Sequence, residues 1–191
     1  MNNSCNNISF TSKITPVMLR DFYRISKPMG LKNYVQYPWN LDCSVAGKDV
    51  YTKDIIDCTA CLLTDGKESM LMHLCCTKPK NHDAESLLSY IKSHFDLSNK
   101  KLHAIILGSK KVPQSVELFE KFVNMFTQLK IPFSMFKNGK TKTHIAYSVE
   151  KDEVFISNDV IDYTLKRGWD VEKSMKNGFE NVSLASGDFI Q

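Results

Sequence analysis

The chain has 191 residues, 24% charged and 42% hydrophobic, which excludes globally disordered, collagen-like and coiled-coil proteins and leaves room for one sizeable domain rather than two. Lys and Arg number 25 against 21 Asp and Glu, a net charge of +4. That mild balance, with basic residues spread out apart from Lys100-Lys101, Lys110-Lys111 and Lys137 to Lys142, is no nucleic-acid signature, so no nucleic-acid partner is expected.

The first residues, Met1 to Ile8, show no basic flank leading into an apolar run, so no signal peptide is read. No apolar stretch approaches the roughly 20 residues that span a bilayer, so no membrane span is expected. Six cysteines, Cys5, Cys43, Cys58, Cys61, Cys75 and Cys76, without a secretion signal read as reduced thiols of a cytoplasmic protein; non-classical export would leave no trace here.

Residues 1–12 are rich in Asn and Ser and read as a loose N-terminus. Thr15-Pro16 then predicts a cap and first-turn proline for a helix carrying Met18, Phe22 and Ile25, which Pro28-Met29-Gly30 ends. Leu31 to Asp49, with Pro38 and Gly47, reads as loops and short strands. Cys58 to Leu63 and Met70 to Cys76 are apolar runs about Thr64-Asp65-Gly66-Lys67, a hairpin signal. After Pro79, His82-Asp83 opens a helix with Leu87, Leu88, Ile91 and Phe95 on one side. Leu102 to Leu107 is a buried strand ending at Gly108. Pro113 starts a helix to Lys130, with Val116, Phe119, Val123, Phe126 and Leu129 on its core face. Phe133 to Phe136, Thr141 to Val149 and Val154 to Ser157 read as strands, and Asn158 or Asp159 caps a helix through Lys166. Strands and helices alternate, which predicts an α/β protein, a single-domain layered sandwich with mixed, largely antiparallel sheets. Residues 13–158 form its domain, and 159–191 form a C-terminal extension of helix and tail.

Two central residues, Asp65 and Gly66, in a type I′ turn would set Thr64 opposite Lys67 and Cys58 opposite His73. Directly opposed residues hold their Cβ atoms about 5 Å apart on one face, the spacing a thiol needs from an imidazole that takes its proton. An imidazolium beside it would lower the thiol pKa enough for a standing thiolate. A four-residue loop, Asp65 to Glu68, would instead oppose Cys58 to Cys75 and His73 to Ala60. The base needs a group to fix its tautomer, a hydroxyl or carbonyl from the segment entering Cys58, and Thr52 lies six residues upstream. Other readings stay open. Cys58 and His73 also suit a packed core. Zinc suits the ligand types of Cys58, Cys61, His73, Cys75 and Cys76, but strand alternation points each cysteine pair to opposite faces. A redox Cys58-x-x-Cys61 needs a helix start that this β-like run lacks.

The segment Thr52, Cys58-Thr59-Ala60-Cys61-Leu62-Leu63-Thr64-Asp65, Met70-Leu71-Met72-His73-Leu74-Cys75-Cys76 and Pro79 resembles the chemoreceptor glutamine deamidases of the CheD type. Those have a Thr six before the nucleophilic Cys, an Asp seven after it and an Ala-His-hydrophobic-Pro strand. The strand ending at Gly108-Ser109, the helix Pro113 to Lys130, Ile131-Pro132-Phe133 and the hairpin Thr143 to Ser157 continue the likeness, which covers about Val50 to Asn158. Cytotoxic necrotizing factors and the Burkholderia lethal factor share the combination of cysteine, histidine and fold. The shorter interval from Cys58 to His73 moves this chain toward that toxin branch, and Asp57 stands where the family has Gly or Ser.

The resemblance implies Cys58 as nucleophile, His73 as general base and acid, and Thr52 as the residue orienting His73. It implies hydrolysis of a glutamine side-chain amide in a target protein, without metal or organic cofactor, with transglutamination as a side reaction. The partner is then the protein bearing that glutamine, met by a monomer in the producing bacterium or, for an exported effector, in a host cytosol. Ser109 and His144 are candidates to line the substrate cleft; each also suits ordinary turn or strand chemistry. His82, His94 and His103 read as surface or capping residues. The alternative from another class is a non-catalytic protein-binding module on the same fold.

Overall fold

Every residue of β5 (Cys58–Thr64) is buried, so this strand needs apolar material on both faces. The computed structural model describes residues 12–35, 44–75, 83–109, 113–138, 141–171 and 182–183, and it covers both faces of β5 in an α/β sandwich of two mixed sheets. One sheet has the order β11 (Val182–Ser183), β8 (Phe133–Asn138), β7 (His103–Ser109), β5, β6 (Ser69–Cys75), β3 (Ser44–Gly47). The other runs β1 (Lys13–Pro16), β10 (Glu153–Asn158), β9 (Thr143–Ser148), β4 (Asp49–Ile55), β2 (Tyr34–Val35). Most neighbours are antiparallel; β7 with β8, β1 with β10 and β2 with β4 are parallel.

The two-residue period of β5 sorts its side chains between two cores. Cys58, Ala60 and Leu62 join Leu71, Leu107 and Phe136 against Val50, Ile145, Tyr147 and Ile156 of the other sheet. Cys61 and Leu63 face outward with Met70, Met72 and Leu74, under α2 (Ala84–Lys92) and α3 (Pro113–Leu129), which contribute Leu87, Ile91, Phe119, Phe122 and Phe126. On the far side, Phe22 of α1 (Leu19–Ser26) and Met29 cover Tyr51, Ala146 and Phe155. α4 (Asp159–Lys166) follows β10 directly and buries Ile161 between the sheets, while Asp162 Oδ1 accepts the Leu19 N–H at 3.0 Å.

β7, α3 and β8 form a β-α-β crossover, as parallel neighbours require. Gly108 lets α3 approach closely: a Cβ there would stand 2.5 Å from Cδ2 of Phe119. β4 crosses from its own sheet to β5 in the other through Ile56 and Asp57 alone. A bulge between Thr52 and Ile55, with Asp54 at φ 58°, bends the strand into that corner.

Two elements differ from what the sequence predicts. Thr15 and Pro16 belong to β1, paired with Phe155 and Ile156 of β10, and the helix starts three residues later at Leu19. Pro16 is tolerated because β1 is an edge strand. The hairpin loop has four residues, Asp65 to Glu68, so Cys58 opposes Cys75 and His73 opposes Ala60. The cause is the Asp65 carboxylate, which accepts the N–H groups of Lys67 and Glu68 at 2.9 and 3.0 Å. Gly66 takes positive φ, whereas a type I′ turn needs it at both central residues. Residues 1–11, Pro79, His82, the turn at 139 and the tail beyond 171 except Val182–Ser183 lie outside the described residues. No helix among the described residues is long and apolar enough to cross a membrane.

Candidate functional site

Thr52, Cys58 and His73 come from three consecutive strands that meet where β4 turns the corner into β5. The six-residue interval between Thr52 and Cys58 is a strand end, a corner and a strand start. It therefore sets the two residues on facing sheets. Cys58 and His73 share one face of their sheet, because Cys58 opposes Cys75 and His73 lies two residues from Cys75 along β6. They are diagonal neighbours rather than a directly opposed pair. Diagonal Cα atoms lie about 7–8 Å apart, with Cβ atoms closer, a gap an imidazole reaches across.

The hydrogen bonds of Thr52 fix the tautomer of His73. Thr52 Oγ1 donates to the Val35 carbonyl at 2.7 Å and lies 2.7 Å from His73 Nδ1. A hydroxyl has one proton, and the carbonyl takes it, so the ring must donate: Nδ1 carries the hydrogen and Nε2 the lone pair. Thr52 and His73 are both fully buried, which shields this bridge from water.

Burial pushes the His73 pKa down from 6.5 to about 4, opposed by the Asp54 carboxylate, which favours the imidazolium. His73 is therefore neutral at neutral pH. The imidazolium that a standing thiolate would need is absent, because removing the ring from water penalises its charged form more than Asp54 compensates. A neutral imidazole here can accept a proton from a thiol but does not hold a thiolate by its charge. Cys61, further along the same strand, faces the helices instead, and burial raises its thiol pKa well above the ordinary value. Cys58 and Cys61 thus point to opposite sides of one strand, and among the described residues no group of three or more His, Cys, Asp or Glu is arranged to hold a metal ion.

The other candidates fall elsewhere or at the margin. Ser109 ends β7 two residues beyond Leu107, which pairs with Ala60, so the backbone at Ser109 reaches the Cys58 end of the sheet. His144 sits on the outer face of its sheet, neither lining the space between the sheets nor facing solvent. Its ring packs 5.4 Å from that of Phe22, and its Nδ1 accepts the Asp54 N–H at 3.3 Å. His94 is exposed and its Nδ1 lies 3.0 Å from the Tyr90 carbonyl at the end of α2, the capping role its position suggests. His103 is buried at the opposite end of the sandwich, 2.8 Å from Ser12 Oγ. Ser12 donates to Asp152 at 2.5 Å, so the carboxylate holds the hydroxyl rather than the imidazole, and these three residues do not form a relay for a serine nucleophile.

Three participants escape sequence reading. The Val35 carbonyl decides the tautomer, and a backbone group has no residue signature. Asp54 shifts His73 from within a bulge. Ser115, in the first turn of α3, donates to the carbonyl of Cys58 at 3.3 Å; a serine beside Pro113 at a helix start reads as ordinary capping chemistry. No protein-family model matches this sequence, and no curated protein matches it.

Proposed function

We propose that the protein is a cysteine-dependent protein-glutamine deamidase. The observation that carries this reading is the bridge from the Val35 carbonyl through Thr52 Oγ1 to His73 Nδ1, which makes Nε2 the basic nitrogen on the face shared with Cys58. Cys58 Sγ attacks the side-chain carboxamide carbon of a target glutamine as its proton passes to His73 Nε2. That proton leaves with the amide nitrogen as ammonia, and a thioester remains. Water then adds, giving its proton to Nε2, and the C–S bond breaks to release glutamate and restore the thiol. The oxyanion formed in each step requires main-chain N–H donors near Cys58. An amine replacing water gives transglutamination. The chemistry needs a reduced thiol, in keeping with a bacterial or host cytosol as the place of action.

A second reading, a protein-binding module without catalysis, is favoured by burial: His73 is 0% and Cys58 4% exposed, as packed core residues are. One experiment separates them. Wild type and Cys58→Ser are incubated with bacterial and eukaryotic lysates, and peptides are compared by mass spectrometry with ammonia release measured in parallel. Conversion of one glutamine to glutamate by wild type alone, with ammonia, supports the deamidase and names its target. Equal peptide masses in both lysates, with Cys58 unreactive to alkylation, refute it in favour of the binding module.

A further inference from the structure

We infer that Ser115 is a positioning residue for Cys58, fixing the backbone from which the thiol projects; this rests on the deamidase reading. Cys58 is the first residue of β5, directly after the corner at Ile56 and Asp57. On the β6 side it pairs with Cys75, but on the β7 side the ladder begins at Ala60 and Leu107, two residues further in. The first turn of α3 approaches at this point. Ser115 Oγ donates to the Cys58 carbonyl at 3.3 Å, and Thr59 Oγ1 donates to the Ser115 carbonyl at 3.1 Å, with the two hydroxyl oxygens 3.2 Å apart. Two hydroxyl protons thus serve two carbonyls. Ser115 and Thr59 are fully buried, so water does not compete for these bonds.

The helix that carries Ser115 is itself held in place. Phe119, four residues on, sits against Gly108, where a Cβ would meet its ring at 2.5 Å, and Gly108 adjoins the Leu107 that pairs with Ala60. The clamp therefore refers Cys58 to the packed helix layer rather than to a strand end. Fixing the Cys58 carbonyl fixes the plane of the peptide joining it to Thr59, and with it the direction of the Cα–Cβ bond relative to His73. Proton transfer between thiol and imidazole depends steeply on that direction, and misplacement by about 1 Å can cost about 100-fold.

The test reads Cys58 directly and needs no substrate. Iodoacetamide labelling of Cys58 is followed by peptide mass spectrometry across a pH series in wild type, His73→Ala, Ser115→Ala and Thr59→Val. Each rate is divided by that of Cys61, whose thiol faces the helices and registers opening of the fold as a whole. Thr59→Val removes a hydrogen bond of the same buried cluster but spares the one to the Cys58 carbonyl. Near neutral pH, His73→Ala and Ser115→Ala should each slow Cys58 about tenfold, with Thr59→Val at the wild-type rate. At a pH high enough to ionise the thiol without a base, where proton transfer to His73 no longer limits the rate, the four should converge. A Ser115→Ala rate equal to wild type, or equally slow Ser115→Ala and Thr59→Val, overturns the positioning role while leaving the pair of Cys58 and His73 intact. A His73→Ala rate equal to wild type overturns the deamidase reading itself.

Discussion

Acidification should destabilise the fold through His73, by an amount its environment sets. In the unfolded chain the imidazole titrates near 6.5; in the folded one burial holds it at about 4. Between those values the unfolded state binds a proton that the folded state refuses, so stability rises with pH across this window. The contribution is complete above pH 6.5 and is lost as pH falls toward 4. At about 1.4 kcal/mol per unit the whole effect is about 3 kcal/mol, with about 2 kcal/mol gone by about pH 5. Burial also lowers His103 and His144, and carboxylates titrate in the lower part of the range. The measurement is therefore a difference against His73→Asn, whose amide can stand near the Nδ1 position and still donate to Thr52. Urea unfolding of both proteins at a series of pH values between about 8 and 5 should show the wild type losing about 2 kcal/mol more than the variant. At a slope of about 2 kcal/mol/M, that is a midpoint shift of about 1 M. A difference between the two proteins that stays constant with pH would refute the assignment of a buried, neutral His73.

Thr52→Val removes the hydroxyl that links the Val35 carbonyl to His73 Nδ1. It should cost about 1–3 kcal/mol in urea unfolding and, on the deamidase reading, lower turnover far more than it raises KM. Gly108→Ala drives a methyl into Phe119, so the melting temperature should fall by about 5 °C, as overpacking of about 1–3 kcal/mol implies for a chain of this length. Asp54 has φ 58°, a conformation that β-branched residues avoid. Asp54→Val should therefore lose about 1–2 kcal/mol in unfolding assays and Asp54→Gly much less, and equal losses would show that the bulge backbone carries no such constraint.

Local signals explain which elements were legible. Asn158 caps α4 through Oδ1, which accepts the Ile161 N–H at 2.8 Å, and the helix begins and ends where that cap and the apolar spacing place it. Asp83 does the same for α2, accepting the Ser86 N–H at 2.8 Å. The crossover of β7, α3 and β8 follows from two apolar runs flanking an amphipathic helix. Thr15-Pro16 is ambiguous because a proline after threonine suits both a helix start and an edge strand, and pairing with residues far along the chain at 153–156 makes the choice. The hairpin register turned on how many N–H groups Asp65 captures, a matter of side-chain geometry within the loop. Since the resulting shift is even, Cys58 and His73 kept a common face, and the candidate pair survived the correction. Strand 49–55 has no period that marks it out, although Thr52 stands at a telling distance from Cys58; what sets Thr52 against His73 is the docking of two sheets, which neither strand encodes alone.

The segments that meet at Cys58 leave the ribosome at different times. The hairpin of Cys58 and His73 closes locally, but Thr52 lies on a strand whose sheet partners are β2 and β9, and Ile145, its counterpart on β9, emerges from synthesis far later. Loop closure over that distance is slow relative to hairpin formation. A nascent chain ending before residue 143 holds Val35, Thr52, the thiol and the imidazole, but not β9 and β10, which complete the sheet that carries Thr52. The seating of Thr52 against His73 therefore awaits the pairing of β9 with β4.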